Sequence, residues 1–187
     1  WKAKGKCKII KLKENKRIDD LEYKGLKVIQ QEDGFCFGID SVLLSDFAKD
    51  IKKEAVGLDL GTGTGILGIL LCGKTELSKI YGIEIQEQVA EMAKRSIQLN
   101  GLESRFEIIN KNIKELDNIF EKNSFDFIVT NPPYKKLNTG KINEKDKKII
   151  SRHEVTATLT DFINISYKML KDKGTLYMVH RPDRLVD

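Results

Sequence analysis

The sequence predicts an α/β fold that is built on a doubly wound, mostly parallel sheet. Two observations support this: short, nearly continuous apolar segments alternate with segments of helical spacing, and turn-forming residues follow the apolar segments. Strands this apolar are typical of a parallel sheet that is covered by helices on both faces. Ligands bind such sheets beyond the carboxyl ends of the strands, so the residues that follow each strand are the first candidates for a site.

Strands and helices alternate along the chain from about residue 26. The strand-like segments are 26–30, 55–60, 79–85, 105–110, 125–130 and 174–180. Ahead of the second strand, Asp40 or Ser41 is expected to cap a helix. The apolar face of that helix is predicted to hold Val42, Leu43, Phe47 and Ile51. Further helices are predicted over 64–72 and over 159–170. Another is predicted after the strand at 79–85; it runs to Leu99, and Asn100-Gly101 forms its C-cap.

Length and composition are those of one soluble globular domain. The 187 residues are 40% hydrophobic and 33% charged. No apolar run approaches the roughly 18 residues that a membrane span needs. The three cysteines, Cys7, Cys36 and Cys72, are odd in number and far apart, which excludes a disulfide framework and a CxxC metal site. We therefore expect a cytoplasmic protein with no metal and no membrane contact.

The net charge of +5 is distributed unevenly. Residues 1–17 hold eight basic residues against one acidic residue, and residues 135–148 hold six lysines against two acids. The rest of the chain is close to neutral. Two basic segments on a neutral body suggest a polyanionic partner such as RNA, although the charge taken alone favours a solvated tail and a solvated loop. We divide the chain into a basic N-terminal tail, 1–22, and one folded domain, 23–187.

A glycine-rich turn follows the second predicted strand. Gly63, Gly65 and Gly68 make a formal G-x-G-x-x-G. Glu84 lies 19 residues after Gly65, which suits a carboxylate that binds ribose hydroxyls. On this pattern a dinucleotide-dependent dehydrogenase is a candidate, as is a turn without a ligand. Asp59, at the strand end, would repel a pyrophosphate and attract a cation such as the ammonium of a methionyl group.

The turn resembles the first motif, D-x-G-x-G-x-G, of the class I S-adenosylmethionine-dependent methyltransferases. The matching residues are Asp59, Gly61, Gly63 and Gly65. The resemblance implies S-adenosylmethionine as cofactor, with these residues as its contacts and Glu84 as the acceptor for its ribose hydroxyls. It also places Asn112, where that family often has an acidic residue, against the adenine amino group of the cofactor.

The strand predicted over 125–130 ends in Asn131-Pro132-Pro133-Tyr134. An exocyclic amine such as adenine N6 is a poor nucleophile because its lone pair is delocalised into the ring. Two hydrogen-bond acceptors placed out of the ring plane favour the tetrahedral nitrogen, and the Asn131 side-chain carbonyl and the Pro132 backbone carbonyl are the candidates. The prolines fix φ near about −65° and so aim that carbonyl in advance. Tyr134 is expected to stack on the base, a contact of about 1–3 kcal/mol.

This tetrapeptide closely matches the (D/N)PP(Y/F/W) motif of amino-methyltransferases that act on adenine, some guanines and glutamine side chains. Longer segments resemble the bacterial tRNA adenine-N6 methyltransferase group: FGIDSVLL, IEIQEQVAEMAKRSIQLNGL, NPPYKK, RHEVTATL and HRPDRLVD. That group modifies the adenine beside the anticodon of valine tRNA, so the resemblance implies tRNA as substrate and partner. It places Phe37, Gly38 and Asp40 as a lid over the cofactor, and it counts Asn131 among the cofactor contacts as well.

The basic loop after Tyr134 is expected to hold RNA backbone beside an extruded base. The predicted substrate contacts are Pro133, Lys135, Lys136, Arg152 and Arg181. Arg152 has an ordinary alternative, a salt-bridge cluster on a helix surface with Glu154.

Two other functions stay open at this point. A glutamine-N5 methyltransferase of translation release factors uses the same N-P-P-Y chemistry, but such enzymes usually carry a helical N-terminal domain. Here only about 50 residues, basic in overall charge, precede the first sheet strand. A non-catalytic RNA-binding protein that keeps a cofactor fold is disfavoured by the intact Asn131 and Tyr134. The resemblance also implies a Rossmann-like sheet of seven strands, so we expect the C-terminal strand pair to be missing from this chain. The full-length protein is expected to be a monomer, and an isolated 1–187 to leave a sheet edge open.

Overall fold

The structure, a computed structural model, describes residues 15–32, 38–132 and 157–180. Within these ranges the strands are β1 (Lys16–Asp20), β2 (Lys27–Gln31), β3 (Val56–Leu60), β4 (Lys79–Ile83), β5 (Phe106–Ile109), β6 (Phe125–Thr130) and β7 (Leu170–Met178). The α-helices are α1 (Ile39–Phe47), α2 (Ile66–Lys74), α3 (Glu87–Leu99) and α4 (Leu159–Met169). A 3-10 helix, Ile113–Asn118, follows β5. None of the described helices has the length and apolar content needed to cross a membrane.

Five of the strands form one parallel sheet in the order β5-β4-β3-β6-β7. The chain builds outward from β3 to β5 on one side and then returns to add β6 and β7 on the other. The topological switch point therefore lies between β3 and β6, where Leu60 is paired with Thr130. This arrangement confirms the predicted α/β fold with a doubly wound, parallel sheet.

Helices cover both faces of the sheet, because alternate side chains of each strand point to opposite faces. On one face Phe127 and Val129 of β6 belong to a buried cluster shared with α1, α2 and α3. On the other face Ile128 belongs to a cluster shared with α4 and the 3-10 helix. The site described below lies at the carboxyl edge between these two layers.

The strand β1 was not predicted, because a single apolar residue, Ile18, among charged ones gives no periodic signal. It pairs antiparallel with β2 in a separate two-stranded sheet, so the boundary predicted at residue 22 falls inside this hairpin. Side chains of α3 hold the hairpin in place through hydrogen bonds to the backbone of β2. Asn100 accepts a hydrogen bond from the Lys27 N–H (2.9 Å) and donates to the Lys27 carbonyl (2.6 Å), and Ser96 accepts one from the Ile29 N–H (2.9 Å).

Helix α1 differs from its prediction in both cap and orientation. Its N-cap is Gly38, and neither Asp40 nor Ser41 caps it through a side chain. The predicted inward residues Leu43 and Phe47 are 57% and 76% exposed. The face that is buried instead holds Ser41, Leu44, Ser45 and Ala48. Hydrophobicity alone placed Leu43 and Phe47 wrongly, because two of the buried positions are polar, whereas Ile51 packs against the core as predicted.

Arg105 is a structural residue that the sequence did not reveal. Its guanidinium donates to the carbonyls of Cys72, Thr75 and Leu77 at distances of 2.8–3.2 Å. These carbonyls lie at and beyond the C-terminal end of α2, where helices leave acceptors without intrahelical partners. Arg105 therefore ties the end of α2 to the start of β5.

Candidate active site

The turn after β3 has the backbone that its glycines allow. Gly61, Gly63 and Gly65 all have positive φ, at 72°, 58° and 86°. A Cβ added at Gly63 would meet nothing within 4 Å, so the turn is open on that side. Gly68, the last glycine of the formal G-x-G-x-x-G, has a packing role instead, since a Cβ there would lie 2.3 Å from the Phe106 ring.

Asp59 lies beneath this turn and is 1% exposed. Its Oδ2 accepts a short hydrogen bond, 2.6 Å, from the Thr62 hydroxyl. Burial raises the pKa of Asp59 to about 7; the hydrogen bonds from Thr62 and from the Gly68 N–H oppose the rise, and the charge of Glu84 adds to it. The carboxylate therefore holds the glycine turn, and a cation bound near it would favour its ionised form.

Glu84, just beyond β4, is tied to two loops at once. Its Oε2 accepts from the Gly63 N–H (3.1 Å) and its Oε1 from the Gln86 N–H (2.8 Å). Each carboxylate oxygen has two lone pairs, so a single bond to each oxygen is compatible with a ribose hydroxyl as a further donor. Because the Gly63 N–H already donates to Glu84, it is not directed at a pyrophosphate.

Asn110 is a site residue that sequence reasoning missed. Its side-chain nitrogen donates to the backbone carbonyls of Glu84 (2.7 Å) and Ile85 (3.0 Å). It follows β5 directly and so fixes the neighbouring loop that carries Glu84. Its position after a strand was a signal, but its partners, 26 and 25 residues away, were not visible in the sequence.

Asn112 begins the 3-10 helix and caps it. Its side-chain oxygen accepts from the Lys114 N–H at 3.0 Å, and Glu115 completes a capping box. Asn112, the predicted adenine contact, thus lies at the carboxyl edge of the sheet. Its hydrogen bonds at the start of the 3-10 helix set the orientation of its side chain.

The strand β6 ends at Thr130, as predicted, and Asn131 and Pro132 follow at the switch point. The buried Thr130 hydroxyl donates to the Leu60 carbonyl at 2.8 Å, which locks this end of β6 to β3. The Asn131 side-chain nitrogen donates to the hydroxyl of Ser41 in α1 at 3.2 Å. Pro132 is buried. The amide thus lies beside the first turn of α1 and the glycine turn of β3.

The structure brings most of the predicted cofactor residues to this one edge. They are Gly38, Asp40, Asp59, Gly61, Gly63, Gly65, Glu84, Asn112 and Asn131. Of these, Gly38 is exposed and Asp40 half-buried, both at the start of α1. The other predicted site residues lie outside the described residues: Phe37, Pro133, Tyr134, Lys135, Lys136, Arg152 and Arg181. Among the described residues, no three His, Cys, Asp or Glu side chains form a metal site.

The sequence profile of the methyltransferase small domain family matches residues 38–184 of this chain. The chain belongs to the methyltransferase small domain family. This confirms the prediction of a methyltransferase that uses S-adenosylmethionine, because the matched span contains both the glycine turn of β3 and Asn131-Pro132.

Several curated relatives have the same name. A tRNA1(Val) (adenine(37)-N6)-methyltransferase of Porphyromonas gingivalis is 29% identical over 175 residues, which cover 90% of this chain and 68% of the relative. Proteins of the same name from Vibrio campbellii (84% of this chain, 64% of the relative) and Trichodesmium erythraeum (87% and 67%) are 23% and 26% identical. The chain thus spans about two-thirds of the length of these relatives.

Solved structures share the fold. TYW2 of P. horikoshii, in complex with MeSAdo, superposes with a TM-score of 0.59 at 16% identity, over 86% of this chain and 50% of that one. A SAM-dependent methyltransferase of Thiobacillus denitrificans, in complex with S-adenosyl-L-homocysteine, gives 0.53 at 16% identity, over 76% and 48%.

The described residues fit S-adenosylmethionine on two counts. The turn is open above Gly63, where a side chain would otherwise stand. Two buried carboxylates, Asp59 and Glu84, lie at the ends of adjacent strands, and their charge suits a ligand that carries a sulfonium and an ammonium group. Gly61, Gly63 and Glu84 are therefore the residues we expect to hold it.

Proposed function

We propose that this protein methylates N6 of an adenine in tRNA, namely the anticodon-loop adenine of valine tRNA. The observation that carries the proposal is the position of Asn131-Pro132: directly beyond β6, locked to β3 through Thr130 and next to the glycine turn. The shared name of the curated relatives supports adenine in tRNA as the target. Membership of the methyltransferase small domain family supports the reaction class.

The chain's own residues act on the target amine. The Asn131 side-chain oxygen and the Pro132 backbone oxygen accept one N–H each, which draws the nitrogen out of conjugation and localises its lone pair. When bound, S-adenosylmethionine supplies an electrophilic methyl group, whose former bonding electrons stay on sulfur. The nitrogen gains this methyl group and then loses one proton to water. No general base is needed, because the proton is acidic once the nitrogen has four bonds.

The protein is also expected to hold the RNA around the extruded base. Tyr134 stacks on the base, and Lys135, Lys136, Arg152 and Arg181 contact phosphates. The basic residues that precede β1 add sequence-independent attraction. These roles follow from residue type and chain position, and they complete the proposal on the RNA side.

Methyl transfer to isolated substrates tests the proposal. Purified protein is incubated with methyl-labelled S-adenosylmethionine and with tRNA from cells that lack the enzyme, and release factor is offered as a competing acceptor. We expect label in valine tRNA as N6-methyladenosine. Label on release factor alone would replace this proposal by the glutamine-N5 reaction.

Asn131→Ala tests the role of the amide. We expect methyl transfer to fall at least roughly 100-fold, the range seen when one group that acts in the transition state is removed. Cofactor affinity, measured by calorimetry, should change little. Asn164→Ala, at an exposed position of α4, is the control and should keep wild-type turnover. Retained activity in Asn131→Ala would contradict the mechanism.

A further inference from the structure

Helix α1 buries two serines where a helix normally buries apolar side chains. Ser41 is 6% exposed and Ser45 is fully buried, and both lie on the face with Leu44 and Ala48. A buried hydroxyl without a partner is destabilising, so each serine at such a position needs a polar group opposite it.

The partners of Ser45 explain it structurally. Its hydroxyl donates to the Val42 carbonyl (2.7 Å) and accepts from the Lys74 ammonium (2.8 Å). Lys74, whose side chain is 10% exposed, also pairs with Asp46. Ser45 therefore joins α1 to the end of α2, away from Asn131.

The partner of Ser41 lies in the site itself. Its hydroxyl accepts the hydrogen bond from the Asn131 side-chain nitrogen at 3.2 Å, across 90 residues of sequence. An amide that gives its nitrogen to one neighbour turns its oxygen the other way. Thr130 locks the adjacent backbone to β3, and the hydrogen bond to Ser41 restrains the side-chain torsion of Asn131.

We infer that Ser41 is a positioning residue, which holds the Asn131 amide through its nitrogen in the orientation that turns the amide oxygen towards the target amine. The inference rests on the proposed function of Asn131. If the amide were reversed, its N–H groups would face the N–H groups of the substrate, and an acceptor that activates the nitrogen would become a donor that opposes it.

Substitution of the two serines separates positioning from packing. Ser41→Ala should lower kcat roughly tenfold, the cost of losing one aligned hydrogen bond, and leave KM for S-adenosylmethionine unchanged. Ser45→Ala, one turn further along the same buried face, should lower the melting temperature and leave kcat unchanged. Equal kcat in wild type and Ser41→Ala would overturn the inference, as would an equal loss in both variants.

A double substitution tests whether Ser41 acts through Asn131. In an Asn131→Ala background, Ser41→Ala should change kcat no further, because the group that it orients is gone. Independent effects that multiply would mean that Ser41 acts elsewhere.

Nuclear magnetic resonance of the side-chain amides tests the contact without any substrate. The Asn131 NH₂ pair is assigned as the pair that is missing in Asn131→Ala. Its shifts and its solvent exchange should change in Ser41→Ala and not in Ser45→Ala. If wild type fails to methylate tRNA, the proposed function fails, while this measurement still decides whether Ser41 holds the Asn131 amide. An NH₂ pair whose shifts and exchange stay the same in Ser41→Ala would overturn the inference.

Discussion

Gly63 and Gly101 have the same backbone conformation in different surroundings. Their φ values are 58° and 65°, and at neither would an added Cβ come within 4 Å of another atom. Gly101 ends α3, whereas Gly63 lies in the turn at the site and donates to Glu84. Substitution at Gly101 should show only the strain of a left-handed residue. Substitution at Gly63 should show this strain together with the effect of a side chain where the cofactor is expected.

Gly63→Ala and Gly101→Ala should each lower the free energy of unfolding by roughly 1–2 kcal/mol, the cost of an L residue in this region. Only Gly63→Ala should also weaken S-adenosylmethionine binding, by about tenfold or more, or 1.4 kcal/mol. Urea unfolding and calorimetric titration give the two quantities. Unchanged affinity in Gly63→Ala would mean that the cofactor does not lie over this turn.

At the scale of elements, the β1–β2 hairpin depends on α3 more than on the main sheet. β2 contacts α3 through Ser96 and Asn100. The backbone N–H and the backbone carbonyl of Lys27 both form hydrogen bonds with the side-chain amide of Asn100. Val28 and Ile29, between these bonds, are fully buried. The hairpin is therefore held to the rest of the protein by α3. Side chains of this helix supply β2 with backbone hydrogen bonds of the kind that a neighbouring strand would supply.

Asn100→Ala should release this attachment locally. We expect a stability loss of about 1–3 kcal/mol, because the Lys27 N–H and carbonyl lose their partner. Hydrogen exchange at the Lys27 amide should accelerate, while exchange in β4 stays slow. Gln98→Ala, at an exposed position of the same helix, should change stability by less than about 0.5 kcal/mol. Uniform acceleration across the protein would argue for global destabilisation instead.

At the scale of the whole molecule, two carboxylates have opposite pKa shifts: Asp59 near the carboxyl end of β3, and Asp126 near the amino end of the neighbouring strand β6. The pKa of Asp59 is raised to about 7, above all by burial. Burial also acts to raise the pKa of Asp126, but hydrogen bonds from Lys52, the Val56 N–H and Lys171 outweigh it and lower the value to about 2.

The two shifts predict the pH dependence of stability. Asp59 keeps its proton in the folded state over a range where the unfolded chain loses it, so it makes unfolding easier as pH rises from about 4 to 7, by at most about 4 kcal/mol at 1.36 kcal/mol per unit. Asp126 is ionised more readily when folded, so the stability it contributes is present above about pH 4 and is lost as pH falls towards 2.

Urea unfolding of the cofactor-free protein at a series of pH values measures both effects. Asp59→Asn should flatten the decline between pH 4 and 7, whereas Asp126→Asn should leave that decline and remove part of the loss below pH 4. A wild-type slope above pH 4 in Asp59→Asn would show that another group titrates there.

The sequence by itself determined the parts that depend on local patterns. The parallel sheet, the C-cap at Asn100-Gly101 and the end of β6 at Thr130 all followed from periodicity, glycine and proline, because these act through the backbone of their own neighbours. The glycine turn and Asn131-Pro132 were placed correctly at the carboxyl edge, since the order of elements fixes which strand ends meet. The roles given to Tyr134 and the basic loop stay predictions.

Tertiary structure alone decided how side chains face one another across long separations. The buried face of α1 depends on Lys74 and Asn131, which lie 29 and 90 residues from their serines. Hydrophobicity therefore predicted the burial of Leu43 and Phe47 wrongly. Asn110, 26 residues beyond Glu84, holds the loop of Glu84 for the same reason. The role of a buried polar group depends on its hydrogen-bond partner, and the fold as a whole determines which partner packs against it.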